Sequence, residues 1–355
     1  MIDSLLNTIL ATLDSSGTRR IDDKVLWEET FNRLSYKPVA YSNANLDYQL
    51  AYQQGHGGDW LDISLIISWD NKPTALWPLS LSIKDGKSNL TSQGMPVLPP
   101  VFVENCPAIS RKRIIKECLD IANSTATTAK IDAWESNESF DNSIGMSDWH
   151  IESMARHAVC HLNHEIFLNL QPDIAKIKTN IRKSYKSLIT AGARIWTVGV
   201  LDSLGNDDVW HEFRDLHFKV SGRITRSDET WDIQYQGIKR QCALLVWLRN
   251  AAGDMVGGGL FNYTSDEGLY AVGAYDRTLF DNPLGHVVQY RAIEELKKRG
   301  VIWYKIGAKP YALDTPKPTD KEIAIGEFKQ GFGSHIFPKY LMTHKIVGKP
   351  ERILN

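Results

Sequence analysis

This chain lacks the features that would decide its class at once. Its four cysteines, Cys106, Cys118, Cys160 and Cys242, are scattered through 355 residues without metal-ligand spacing or clustering. That excludes a disulfide framework and a cysteine-based metal site, and reduced thiols in a cytoplasmic protein are the simplest reading. No stretch approaches the roughly 20 apolar residues a membrane-spanning helix needs. The first residues, MIDSLLNTILATLDSSG, carry Asp3 where a secretion signal carries basic residues, and Asn7 and Thr8 interrupt the apolar run. An excess of one charge is also missing, since 41 Lys and Arg face 42 Asp and Glu. A polyanion would therefore have to be met by a local patch. There is no P-loop, no His-Glu-x-x-His metal motif and no Ser-His-Asp order, so kinase, zinc and serine-hydrolase chemistry have no local support and no metal site is expected.

What is present belongs to a globular protein of more than one core: 43% apolar and 23% charged residues, with aromatic side chains spread along the chain. The order of elements repeats. In the first half, LDISLIISW and TALWPLSLSI flank the turn at Asp70 and Asn71, and the helical pattern SRKRIIKECLDIA and the short strand KIDAW follow. In the second half, ALLVWLRN and MVGGGLFNY flank Ala251, Ala252, Gly253 and Asp254, and a helix and the strand VIWYKIG follow in the same order. Two hairpin-helix-strand units imply an N-terminal segment over residues 1–24 and two related α/β lobes, over 25–170 and 171–355. At the junction, residues 172–191 read as one amphipathic helix. Ile174, Ile177, Ile181, Tyr185 and Leu188 form its apolar stripe, and Lys176, Lys178, Arg182, Lys183 and Lys186 occupy the rest of its surface. Those cations are either a solvated face or a phosphate-facing patch.

The stretch 269–332 is the most informative. The strand LYAVGAYD leads into a crossover helix, which Asp281 or Asn282 can cap, with Pro283 suited to the first turn and Leu284, Val287, Val288, Ala292 and Leu296 as the buried stripe. VIWYKIG then returns parallel to the first strand through a right-handed crossover. The start of that helix should point free N–H groups at the carboxyl ends of both strands, a natural anion site. Gly273 would permit a bulge or close ligand approach, or be only a small residue in a twisted strand, and Gly257, Gly258 and Gly259 share that ambiguity. The polar connection AKPYALDTPKPTDKE offers Lys309 and Tyr311 beside the strand end, and GEFKQGFG closes the stretch.

This order, and the segment Phe328-Lys329-Gln330-Gly331-Phe332-Gly333 above all, resembles the C-terminal half of GNAT-fold acyltransferases, most closely the Fem-type (FemABX-like) branch. The resemblance implies an α/β (α+β) protein of tandem GNAT-like lobes, each a mixed, mostly antiparallel sheet with flanking helices. It further implies that the two parallel strands splay apart around the donor and that strand N–H groups polarise the acyl carbonyl. On the donor side it points to Gly273, Ala274, Asn282, Leu284, Gly285 and His286. Lys329 takes the position of a lysine at the acceptor phosphates or the reacting carbonyl, with Lys305, Tyr311 and Asp276 as further catalytic candidates. VWHEFRDLHFKVSGRITRSDETW resembles the acceptor-binding helix and loop, with Arg223 and Arg226 as clamps and Lys309 beside them.

The implied reaction is transfer of an acyl or aminoacyl group to an amine of a phosphate-bearing cell-envelope or surface-glycan precursor. No cofactor is expected to be tightly bound; the donor, aminoacyl-tRNA or acyl-CoA, is a co-substrate. The expected partners are an anionic sugar or peptidoglycan-type precursor and tRNA. One departure bears on the donor: residues 280–285 carry one glycine and Asp281 where acetyl-CoA enzymes have a glycine-rich phosphate loop. Two rivals stay open, an acetyl-CoA-dependent N-acetyltransferase of a sugar or small molecule and a non-catalytic binding protein on the same lobes. The general base is open among Asp276, a substrate phosphate and a water.

Overall fold

A computed structural model describes residues 17–138 and 146–346. The chain divides into two compact units, but not at residue 170. Residues 1–35, 56–162 and 339–355 form one unit, and residues 36–55 and 163–338 form the other. The helix Asn43–Gln54, expected in the first lobe, packs against the helix Asp228–Lys239 of the second unit. Residues 341–345 instead pair with the first unit's strand Ala133–Asn137. Part of the expected 1–24 segment lies outside the described residues.

In the first unit the strands Leu65–Trp69 and Lys72–Trp77 form the expected hairpin. Asp70 and Asn71, at φ 50° and 57°, supply the two left-handed residues that a tight hairpin turn matching strand twist demands. The run TALWPLSLSI is not one strand. It ends at Trp77 and restarts as Ser80–Lys84 in a second small sheet, because Pro78 has no N–H to give a ladder. Ile114, Ile115, Cys118, Leu119 and Ala122 of the helix Ala108–Thr128 recur at one-, three- and four-residue steps and bury against Trp77, Trp134 and Trp149. The order hairpin, helix, strand is therefore present. Its parallel return is reduced to the single bridge Val97↔Ser136.

His344 makes that core sensitive to acid. It is buried, stacked on Trp134 at 3.8 Å, and its Nε2 meets Ser136 Oγ at 2.9 Å. Burial, with Arg156 adding repulsion, pushes its pKa down from 6.5 to about 4. The unfolded chain then binds more protons than the native state in that window. Stability is thus complete above pH 6.5 and is lost as pH falls toward about 4, with half-buried His217 of the second unit acting in the same sense. Urea melts at stepped pH should show this decline, and His344→Gln should flatten it; an equal decline in the variant would remove His344 from the effect.

The second unit follows the expected topology closely. Its sheet runs in the order Thr197–Leu201, Ala243–Arg249, Met255–Tyr263, Glu267–Tyr275, Trp303–Ala308 and Val159–Asn169. The first four pair antiparallel, and Glu267–Tyr275 pairs parallel with Trp303–Ala308. The crossover helix Leu284–Lys298 buries Leu284, Val287, Val288, Ala292, Ile293 and Leu296 on one face of the sheet, each large side chain contributing about 1.5–3 kcal/mol. Pro283 is its N-cap rather than its first helical residue. On the opposite face, Trp210, Phe213 and Leu216 of the helix Asp208–Ser221 pack with Leu245, Leu260 and Ala274.

Residues 172–191 are not one helix. The helices Ile174–Asn180 and Lys183–Ile195 are separated by Ile181 and Arg182, both extended. The break re-aims the stripe: Ile177, Ile181, Tyr185 and Ile189 are buried while Leu188 is 37% exposed. Gly257, Gly258 and Gly259 pair regularly with Tyr275, Ala274 and Gly273, so they form no bulge. They are small because the rings of Tyr275, Phe213 and Phe261 lie within about 3 Å of where their Cβ atoms would stand.

Candidate active site

The parallel pairing of the two central strands is short. It covers Glu267↔Trp303, Gly268↔Tyr304 and Leu269↔Lys305 and then stops. From residue 270 to 275 one edge of the first strand has no ladder partner, and the two strands form an open fork at their carboxyl ends. Backbone N–H groups on that edge are the kind of donors an oxyanion needs.

Lys329 reaches this fork. Its helix Asp320–Gln330 is fixed at the start by a capping box, in which Thr319 Oγ accepts from Glu322 N while the Glu322 carboxylate accepts from Thr319 N at 2.8 Å. At the other end the residues around the lysine are each explained by contact. Phe332 is buried, Phe328 lies 3.2 Å from a Cβ placed on Gly285, and the Tyr185 ring fills the space where Gly331 would carry a side chain. Arg182 clamps the segment, since its backbone N–H donates to Gly331 O at 2.9 Å and its Nη2 to Glu327 O at 3.2 Å. The Lys329 ammonium lies 6.0 Å from the centroid of Tyr270 and 2.5 Å from the position a Cβ on Gly307 would take. Gly307, at φ +133°, lies where the register of the second strand against Val159–Asn169 shifts. Lys329 makes no ion pair among the described residues. Burial lowers its pKa, and the charge of Glu165 partly offsets this.

Two residues that the sequence did not single out complete the fork. In LYAVGAYD, Tyr270 and Tyr275 are five apart, which in a regular strand puts them on opposite faces. The register shifts between Leu260↔Val272 and Phe261↔Tyr270, leaving Ala271 as an extra residue. This bulge turns both tyrosines to the crossover-helix side, with their hydroxyls 3.2 Å apart. The bulge thus sits two residues before Gly273. Gly273 is exposed, and a Cβ there would lie 1.9 Å from Tyr270 Oη. Burial raises the pKa of both phenols, so both are protonated at neutral pH. The signal was available as two tyrosines flanking a glycine, but its meaning depends on a bulge no local pattern announces.

The other candidates are distributed as follows. Lys305 is paired with Glu165 at 2.9 Å and lies near buried Glu267. Lys309 is buried and bound to Glu327, so its charge is already met. Tyr311 is exposed on the following loop, edge-on to His164 at 5.0 Å. Asp276 caps the turn after its strand by accepting from Thr278 N and Oγ and pairs with Lys219 at 3.2 Å; these contacts lower its pKa and make it a poor base. Ala274 and Leu284 are core residues facing opposite sides of the sheet. His286 packs among Tyr185, Phe328 and Phe332 with its pKa lowered by burial, so the first turn at Gly285 and His286 meets aromatic rings. Asp281 is exposed and Asn282 half-buried.

The loop expected to clamp the acceptor follows the helix Asp208–Ser221, which Gly222 ends at φ 67°. Arg223 is exposed and its side chain has no partner among the described residues. Arg226 is 8% exposed and lies over Trp231 at 3.6 Å. Its Nη1 donates to Tyr48 Oη at 3.0 Å and Gln234 Oε1 at 2.8 Å, while Nε is buried without a partner. A buried guanidinium with no carboxylate partner among the described residues is unusual, and burial lowers its pKa.

No family model matches the chain, and no curated protein matches it in sequence. Solved structures do share its fold. FemX is 12% identical with a TM-score of 0.65, covering 89% of this chain and 94% of its own. The C-terminal domain of a protein from Agrobacterium fabrum, assigned as a lysylphosphatidylglycerol synthetase, is 12% identical with a TM-score of 0.58, covering 92% of each chain. L-PGS from Bacillus licheniformis is 15% identical with a TM-score of 0.53, covering 87% of this chain and 93% of its own. The chain therefore shares the α/β fold of FemX and of these two proteins, as the resemblance to Fem-type proteins implied. Among the described residues, no helix is long and apolar enough to cross a membrane.

Proposed function

We propose that this protein is an acyl- or aminoacyltransferase whose chemistry takes place in the fork between residues 270–275 and 306–308. The observation that carries this reading is an unpaired strand edge with a half-buried ammonium group, Lys329, seated beside it. An amine attacking an ester carbonyl builds negative charge on the carbonyl oxygen. Strand N–H groups and a partly desolvated cation are suited to bind that charge, the kind of stabilisation worth roughly 2.7–4 kcal/mol per donor. The half-buried Lys329 supplies it more strongly than a solvated lysine would.

For the donor we favour an aminoacyl ester, carried on tRNA in the cytoplasm, over acyl-CoA. The fork holds Lys329, Tyr270 and Tyr275 where a pantetheine arm would lie, and the start of the crossover helix meets the rings of Phe328 and Tyr185 rather than a glycine nest. The acceptor is an amine on a phosphate-bearing envelope or surface-glycan precursor, held by Arg223 and the loop around it. A neighbour in fold assigned as a lysylphosphatidylglycerol synthetase joins an amino acid to a phosphate-bearing molecule, which fits that class.

Thermal shifts with charged tRNA and with acetyl-CoA test the donor, since a ligand at 100 times its Kd adds about 2.7 kcal/mol of stability. Charged tRNA should stabilise the protein. Lys176→Ala with Lys183→Ala should flatten the salt dependence of tRNA binding; both are exposed, whereas Arg182 has to stay because it holds the Lys329 segment. Stabilisation by acetyl-CoA alone overturns the donor assignment.

A further inference from the structure

Lys329 can stabilise a negative charge only while it keeps its own proton, and burial works against that. The fork needs a group that opposes the loss. We propose that Glu165 is a positioning residue of the transfer: ion-paired with Lys305, its carboxylate also holds the Lys329 ammonium charged beside Gly307. This rests on Lys329 being the group that stabilises the transfer.

Strand register brings the carboxylate to the right place. On the strand Val159–Asn169, Glu165 stands opposite Ala308 and Ile166 opposite Gly307, the glycine whose Cβ position lies 2.5 Å from Lys329 Nζ. The acid is thus next to the cross-strand partner of the glycine that seats the lysine. Glu165 is buried, and its Oε2 meets Lys305 Nζ at 2.9 Å. Lys305 is also drawn by a second carboxylate, Glu267, which accepts from Tyr36 Oη at 3.0 Å and from Val39 N at 3.1 Å. Glu267, Lys305, Glu165 and Lys329 therefore alternate in sign. With two carboxylates sharing Lys305, the charge of Glu165 is not spent on one partner, and it acts on Lys329 across a gap wider than an ion pair.

The other groups around Lys329 do not supply that charge. Glu327, two residues before it, holds Lys309 and lies 3.9 Å from Arg182. Asp276 is paired with Lys219 at 3.2 Å. Burial keeps Tyr185, Tyr270 and Tyr275 protonated at neutral pH, and it keeps His286 neutral.

Two substitutions of opposite sign separate this role from a structural one. Glu165→Gln keeps the shape and removes the negative charge, so Lys329 should lose its proton at lower pH than in the parent. Lys305→Met removes a competing cation, so Lys329 should hold its proton to higher pH. Trace acetylation with acetic anhydride at stepped pH, read by mass spectrometry, follows the Lys329 titration in the intact protein without any substrate. Transfer from the 3′-alanyl ester of adenosine to glycinamide, corrected for the uncatalysed reaction, is measured beside it. In Glu165→Gln the rate should fall about tenfold on the alkaline side and stay within about twofold of the parent where Lys329 is charged in both proteins. Should Lys305→Met fail to fold, Glu165→Asp, which keeps the charge, takes its place, and its Lys329 titration should stay near that of the parent. A Lys329 titration that does not move in Glu165→Gln, or that moves the same way in Glu165→Gln and Lys305→Met, overturns the role of Glu165 and leaves the fork as the site. A titration that moves as expected while transfer does not follow it, or a parent protein that transfers nothing, overturns the reading of the fork, and with it any role of Glu165 in transfer.

Discussion

Lys329→Ala lowers the rate of transfer by about 10²–10³-fold, the loss expected when one donor to a developing oxyanion is removed. The fold should persist. The ammonium is partly desolvated and makes no ion pair among the described residues, so its loss removes a burial cost rather than a contact, and the melting temperature should hold or rise. Lys329→Met keeps the side-chain length and should behave alike, which distinguishes loss of charge from loss of packing. Circular dichroism with the transfer assay provides the measurement. Unchanged activity, or unfolding in both variants, would remove Lys329 from the site.

Gly307→Ala should damage the same step by a different route. At φ +133° a side chain is strained, at a cost of about 1–3 kcal/mol, and the new methyl would stand 2.5 Å from Lys329 Nζ. The lysine has to move, and a displacement of about 1 Å at a reacting centre can cost 10²-fold in rate. The decisive measurement is the double variant. If Gly307 matters by seating Lys329, then Gly307→Ala should slow the Lys329→Ala protein little further, though it still lowers the melting temperature. Two fully additive losses of activity would show that the glycine acts independently of the lysine.

Much of the second unit could be read directly from residues. ALLVWLRN, MVGGGLFNY and LYAVGAYD alternate around turn residues and form successive strands, and the crossover helix follows from a stripe spaced at three and four beside Gly300. Phe328 and Phe332, four apart in the sequence, pack edge to face on each other. The break at Ile181 and Arg182 was not legible. Nothing in IRKSYK opposes a helix; the chain is extended there and the Arg182 N–H bonds to Gly331 O, 149 residues away. Arg182, set down among surface cations, is in fact a clamp.

The local sequence alone determined the order of the main elements, because hydrophobic period, caps and turn residues act over a few positions and need no distant partner. It also determined that the order is Fem-like, through Phe328, Lys329, Phe332 and the glycines between and after them. Tertiary structure decided everything that depends on contact between distant segments. It moved residues 36–55 to the second unit and residues 339–346 to the first, ended the parallel pairing at Leu269↔Lys305, and paired off Lys305 and Lys309 with carboxylates. It also turned Tyr270 to the same face as Tyr275 through one extra residue. A charge or a phenol becomes a working group through its burial, its partners and its direction, and those three are set by atoms far away in the chain.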